Sequence, residues 1–124
     1  MNRLEYRNVT MRFAGTQGSV FTAIEQVNIA VADGEVVSLI GPSGCGKSTL
    51  LNIGAGLYAP SIGEAYVDGD RVEGPNQHVA FMLQKDLLLP WRTIEQNVML
   101  GTEIRKLDAA QSRRKARELL QAFK

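Results

Sequence analysis

The residues Gly41-Pro42-Ser43-Gly44-Cys45-Gly46-Lys47-Ser48 fit the spacing G-x-x-x-x-G-K-[ST]. That spacing suits one chemistry, the holding of a chain of phosphates. Several N–H donors must converge on one anion, and glycines let the backbone curl until successive amides point inward. A helix starting near Lys47 adds its positive dipole end and its unpaired N–H groups. Lys47 supplies a mobile ammonium for the outer phosphates, Ser48 a hydroxyl for Mg²⁺, and Thr49 reaches the innermost phosphate. At Cys45 the phosphates need the backbone amide, so the thiol is incidental; redox sensing is the alternative.

Such a loop needs a strand before it and a helix after it. Glu35–Ile40 is a short apolar run expected to form a strand buried on both faces. Ser48–Leu57 carries Leu50, Leu51, Ile53 and Leu57 at helical spacing, although Gly54 and Gly56 each weaken a helix by about 1 kcal/mol relative to Ala. Upstream, Leu4–Phe13 and Phe21–Val31 alternate as two half-buried strands around the turn-forming Ala14–Ser19, which predicts a hairpin. Downstream, Ala65–Val67 and Val79–Gln84 are expected as strands, and Asp68-Gly69-Asp70 as a turn. Leu87–Pro90 reads as a loop, and a short helix starts at Thr93 and runs to Leu100. Asp108 with Gln111 predicts the cap of a last helix whose face holds Ala116, Leu119, Leu120 and Phe123.

The composition excludes several classes. Of 124 residues, 44% are apolar and 22% charged, enough apolar mass for a globular core and too much for a disordered chain. No apolar run reaches the ~18–20 residues of a membrane span, and the N-terminus lacks the apolar core of a secretory signal. One cysteine allows no internal disulfide, which fits a reducing compartment. The net charge of +1 conceals an asymmetry: residues 105–124 hold seven basic and two acidic side chains, leaving −4 on the rest. A basic end could meet nucleic acid or lipid; the amphipathic spacing favours a solvated helix face, and no nucleic-acid partner is expected. His78 is expected at the surface, and Asp68, Asp70 and Glu73 lack metal-ligand spacing.

GPSGCGKSTLLNIGAGL, then PSIGEAYVDGDRV, then VAFMLQKDLLLPWRTIEQNVMLG together resemble the ATP-binding subunit of an ABC transporter. LLLPWRTIEQNV is most similar to bacterial importers of nitrate, sulfonate, taurine and related nutrients. The resemblance spans nearly the whole chain. It implies an α/β fold of the P-loop NTPase type, with an antiparallel β region at 1–34, a phosphate-loop core at 35–84 and the start of a helical subdomain at 85–124. It implies ATP and Mg²⁺ as ligands, with Gly41 to Thr49 around the phosphates. Gln84 matches the glutamine that binds Mg²⁺ or positions the attacking water, so Lys47 and Gln84 would contribute to catalysis and Ser48 and Gln84 to the metal. Phe13 falls where the family stacks an aromatic on adenine; its rival reading is a core-facing phenyl. Leu87–Trp91 matches the segment that meets membrane-spanning permease subunits, with core packing of Leu88 or Trp91 as the rival.

The resemblance further implies a homodimer of ATPase subunits at the cytoplasmic face of the inner membrane. The family's signature motif, Walker B aspartate, catalytic glutamate and switch histidine do not occur in these 124 residues. The expectation is therefore the N-terminal part of an ATPase domain, truncated in the helical subdomain, marginally stable and without turnover alone. The alternatives are a non-hydrolysing nucleotide-binding or interaction fragment and a small kinase. The kinase would need lid arginines converging on phosphate, whereas Arg105–Arg117 follows an amphipathic helix.

Overall fold

The computed structural model describes residues 1–123. They form two compact units, residues 1–81 and residues from 82 onward.

The first unit is built on a long hairpin. Strand β1 (Asn2–Ala14) pairs antiparallel with β2 (Val20–Ala32), joined by a single 3-10 turn at Thr16–Gly18. Strand β3 (Ile62–Val67) pairs antiparallel with the other edge of β1, and the two-residue β4 (Asp70–Arg71) pairs with β3, giving the order β2-β1-β3-β4. The register slips between Tyr6 and Val9, where Asn8 sits at φ 51°. This bulge resets the side-chain alternation, so Tyr6 and Val9 are both buried. Helix α1 (Lys47–Gly54) lies on that face. The core between them contains Tyr6, Val9, Ile24, Leu50, Ile53 and Ala65. Arg3 ties the hairpin's open end together, donating to Asp33 at 2.7 Å and to Asp68 at 2.9 Å.

The second unit holds α2 (Ile94–Val98), α3 (Leu100–Ile104) and α4 (Ala109–Ala122). The single helix expected from Thr93 to Leu100 is two helices, because a turn at Met99 breaks the repeat. Thr93 and Gln96 make a complete capping box at the start of α2. Asp108 caps α4 by accepting from the Gln111 N–H at 3.2 Å. Glu95 of α2 receives Arg113 at 3.2 Å and Arg117 at 2.9 Å from α4, which accounts for part of the basic C-terminal charge. Ser112 and Ala116 are the small buried residues that let α4 approach its neighbours. Leu119 and Leu120 are more than a third exposed, and Phe123 is exposed.

Two expected strands do not form. Neither Glu35–Ile40 nor Val79–Gln84 lies in a ladder among the described residues. A strand exists only through its neighbour's hydrogen bonds, and apolar composition alone cannot supply them. Val36, Ile40 and Met82 are accordingly more than nine-tenths exposed. The expectation of burial on both faces for Glu35–Ile40 fails with the strand.

Candidate functional site

The loop from Gly41 to Gly46 runs directly into α1. Gly44 at φ 83° and Gly46 at φ 98° occupy the left-handed region, which turns the backbone back on itself. Gly46 has a second reason to be glycine. A Cβ there would stand 2.5 Å from Ile24 Cγ2 and 2.7 Å from the Ala23 carbonyl oxygen, so β2 backs directly onto the loop. The Leu50 N–H donates to the Gly46 carbonyl at 3.0 Å and closes the first helical turn. The Cys45 N–H donates to the Pro42 carbonyl at 3.4 Å.

Lys47 curls over this loop. Its ammonium donates to the Gly41 carbonyl at 2.5 Å and the Pro42 carbonyl at 2.8 Å, and meets Cys45 Sγ at 3.4 Å. The structure thus brings Gly41, Pro42, Cys45 and Lys47 into one cradle, with Gly44 and Gly46 setting its curvature. Ser43 is exposed at its rim. Ser48 is exposed and Thr49 half-buried, both in the first turn of α1. A glycine-turned loop at the start of a helix with a cation beside it fits a phosphate chain, and a hydroxyl in the adjoining turn fits a hard cation held by oxygen.

Phe13 lies near the end of β1, two residues beyond Met11, whose strand partner is Ile24. Its ring is half-buried and packs edge-to-face against Tyr58, with centroids 5.8 Å apart and planes at 75°. Neither of the two earlier readings included this contact. Tyr58 carries no motif, and the 44 intervening residues hide the pairing from a local reading.

Gln84 belongs to the second unit, exposed in a bend rather than at a strand end. In that unit Leu87, Leu88 and Trp91 are 61%, 54% and 76% exposed, so core packing of Leu88 or Trp91 does not occur among the described residues. The loop carrying them is held by Asn97 of α2. The Asn97 Oδ1 accepts from the Leu89 N–H at 2.8 Å. The Asn97 Nδ2 donates to the carbonyls of Leu89 at 3.2 Å, Arg92 at 3.3 Å and Thr93 at 2.9 Å. Arg92 adds an ion pair to Glu103 at 2.6 Å. No sequence pattern identified Asn97 as the organiser, because its partners are backbone groups. His78 is exposed, with Nδ1 3.4 Å from Asp68, and no metal-binding group of His, Cys, Asp or Glu occurs among the described residues. Among the described residues no helix is long and apolar enough to cross a membrane.

Comparison with known proteins gives a consistent set of likenesses. A family model described as "ABC transporter" matches residues 24–124. The chain is 43% identical over 117 residues to a protein of Brucella abortus (strain 2308), covering 94% of this chain and 42% of the relative. It is 40% identical over 105 residues to the taurine import ATP-binding protein of Jannaschia sp. (strain CCS1), covering 85% of this chain and 39% of that protein. The chain therefore spans about two-fifths of the length of these curated relatives. Among solved structures, the ATP-binding cassette MJ0796, dimeric in a post-hydrolysis state with ADP and Pi, superposes with a TM-score of 0.83 at 30% identity. That match covers 95% of this chain and 56% of the cassette.

Proposed function

The chain belongs to the ABC transporter family, and from that premise we propose that it is the nucleotide-binding portion of an importer's ATP-binding subunit. Its phosphate loop, Gly41 to Thr49, takes the triphosphate of ATP. Lys47 releases the loop carbonyls and turns its ammonium to the β- and γ-phosphates. The backbone amides of Ser43 to Ser48 donate to the phosphate oxygens, and Thr49 reaches the α-phosphate. Ser48 and Gln84 are the residues that would offer oxygen donors to Mg²⁺, and the cation would supply counter-charge to the outer phosphates. Phe13 offers its ring to the adenine. The reaction of the assembled subunit is attack of water on the γ-phosphate, with Lys47 neutralising developing charge and Gln84 helping to place the water.

Two such subunits would associate and drive permease subunits that dock on the exposed Leu87–Trp91 patch, at the cytoplasmic face of the membrane. A small sulfonate or related anion is the favoured cargo class, supported by the relatives named as taurine import proteins. The observation that carries the reading is the Lys47 ammonium held over a glycine-turned loop at the start of α1.

The test is equilibrium binding of a fluorescent ATP analogue to the purified chain with magnesium. A charge-assisted hydrogen bond contributes about 1.5–3 kcal/mol, so Lys47→Ala is expected to weaken binding by at least about tenfold. Equal affinity in the two proteins would overturn the assignment.

A further inference from the structure

The phosphate loop and Phe13 sit on different elements. The loop opens α1, whereas Phe13 rides on β1. A nucleotide that touched both would require the two to keep a fixed separation, and the contacts around Tyr58 supply a means.

Tyr58 follows α1 after a short turn. The Asn52 carbonyl accepts from the Leu57 N–H at 2.9 Å and from the Tyr58 N–H at 3.4 Å, which folds this segment back onto the helix end. From there the Tyr58 ring meets Phe13 edge-to-face. Such a geometry sets the quadrupoles of the two rings attractively and resists rotation of either. The Phe13 ring is thus indexed to α1, the same helix whose first turn holds Lys47, Ser48 and Thr49. On the sheet side, Met11 faces Ile24 across the hairpin, and Ile24 Cγ2 backs the loop at Gly46. Phe13 lies two residues farther along, about 7 Å at the rise of a strand. It keeps part of its ring open to solvent.

We infer that Tyr58 is a positioning residue for the nucleobase, fixing the Phe13 ring relative to α1 and the phosphate loop. The inference rests on the reading above, in which Phe13 stacks on adenine. Tyr58 acts through Phe13. Its ring rather than its hydroxyl does the positioning, because the contact is between rings. Loss of the Tyr58 ring therefore weakens only ligands that carry a base, and leaves the hold on phosphate unchanged.

The experiment measures ATP and inorganic tripolyphosphate binding to the purified chain in four forms: unchanged, Tyr58→Ala, Tyr58→Phe and Phe13→Ala. An edge-to-face pair is worth about 0.5–1.5 kcal/mol, so Tyr58→Ala is expected to weaken ATP about two- to tenfold. Tripolyphosphate affinity stays the same, which also reports that the loop is intact. Tyr58→Phe keeps the ring and restores ATP affinity. Phe13→Ala weakens ATP by about fivefold or more, in line with one base stacked on an aromatic ring.

Unchanged ATP affinity in Tyr58→Ala, beside a loss in Phe13→Ala, overturns the role of Tyr58 and leaves base stacking standing. An equal loss of ATP and tripolyphosphate in Tyr58→Ala also overturns it, since the residue then supports the fold generally. Failure of Tyr58→Phe to recover ATP binding rejects ring positioning. Unchanged ATP affinity in Phe13→Ala sinks the stacking reading and this inference with it.

Discussion

The Tyr6 hydroxyl on β1 donates to the Leu50 carbonyl oxygen of α1 at 2.7 Å, inside the core. Leu50 in turn gives its own N–H to Gly46, the last glycine of the loop. Two hydrogen bonds thus connect the sheet to the loop through a single helical residue. The relation explains why a polar ring occupies an otherwise apolar cluster: it takes a helix carbonyl's second lone pair where no water can.

Tyr6→Phe keeps the ring and removes the donor. It is expected to lower stability by about 1 kcal/mol in a denaturant titration near pH 7. Burial pushes the Tyr6 phenol up to about 12. A free tyrosine titrates near pH ~10, so the folded state favours the neutral form. That stabilisation is complete below about pH 10 and is lost as pH rises through about 12. The phenylalanine variant should therefore lose less stability than the parent between those two values. Parallel losses for both proteins would count against the account.

Gly44→Ala and Gly46→Ala separate two kinds of strain. At Gly44 an added Cβ meets open space, so only the positive φ of 83° is penalised, by about 1–2 kcal/mol. At Gly46 the same penalty joins a collision with Ile24 and the Ala23 carbonyl. Thermal melts should rank Gly46→Ala as the more damaging change. Tripolyphosphate binding should survive better in Gly44→Ala. The opposite ranking would show that β2 does not back the loop as described.

Acid sensitivity should pass through Arg3. Its hydrogen bond, and then its charge, hold the Asp33 carboxyl below the usual carboxylate value. A depressed folded value contributes stability above the unfolded value, near pH ~4, and loses it as pH falls through the folded one. Arg3→Met should therefore be less stable than the parent at pH 6, with the gap closing below about pH 4. Urea titrations across that window measure it, and a gap independent of pH would refute the coupling.

Asn97→Ala should loosen the segment that presents Leu87, Leu88 and Trp91. The substitution removes the acceptor of the Leu89 N–H and the donor to the carbonyls of Leu89, Arg92 and Thr93. Hydrogen exchange at the Leu89 amide is expected to speed up by about tenfold or more, as for loss of a net bond of about 1.5 kcal/mol. Protection of β1 and β3 should not change, because they belong to the other compact unit. Unaltered exchange at Leu89 would show that the loop holds its shape without Asn97.

What the sequence disclosed follows how local each feature is. The glycine-turned loop that opens α1 was legible because its residue types are dictated position by position, down to Gly44 and Gly46 at positive φ. The hairpin was legible from alternation and turn residues, and its strands extend only a residue or two beyond the expected ends. The bulge at Asn8 was not legible, since an asparagine in the left-handed region carries no pattern of its own. Glu35–Ile40 and Val79–Gln84 were misread because strand formation depends on a distant partner. Tyr58 and Asn97 escaped for the same reason: one acts on a ring far away in sequence, the other on main-chain atoms.

On the proposed reading, the bonds from the Lys47 ammonium to the Gly41 and Pro42 carbonyls give anion capture a particular thermodynamic form. An incoming anion swaps partners with groups already satisfied, so binding is a displacement rather than an addition. Much of the new contact enthalpy is offset by the contacts given up. Anions too small to reach both the amides and the released ammonium gain little from this exchange. On the proposed reading, this exchange favours a long polyphosphate over single phosphate.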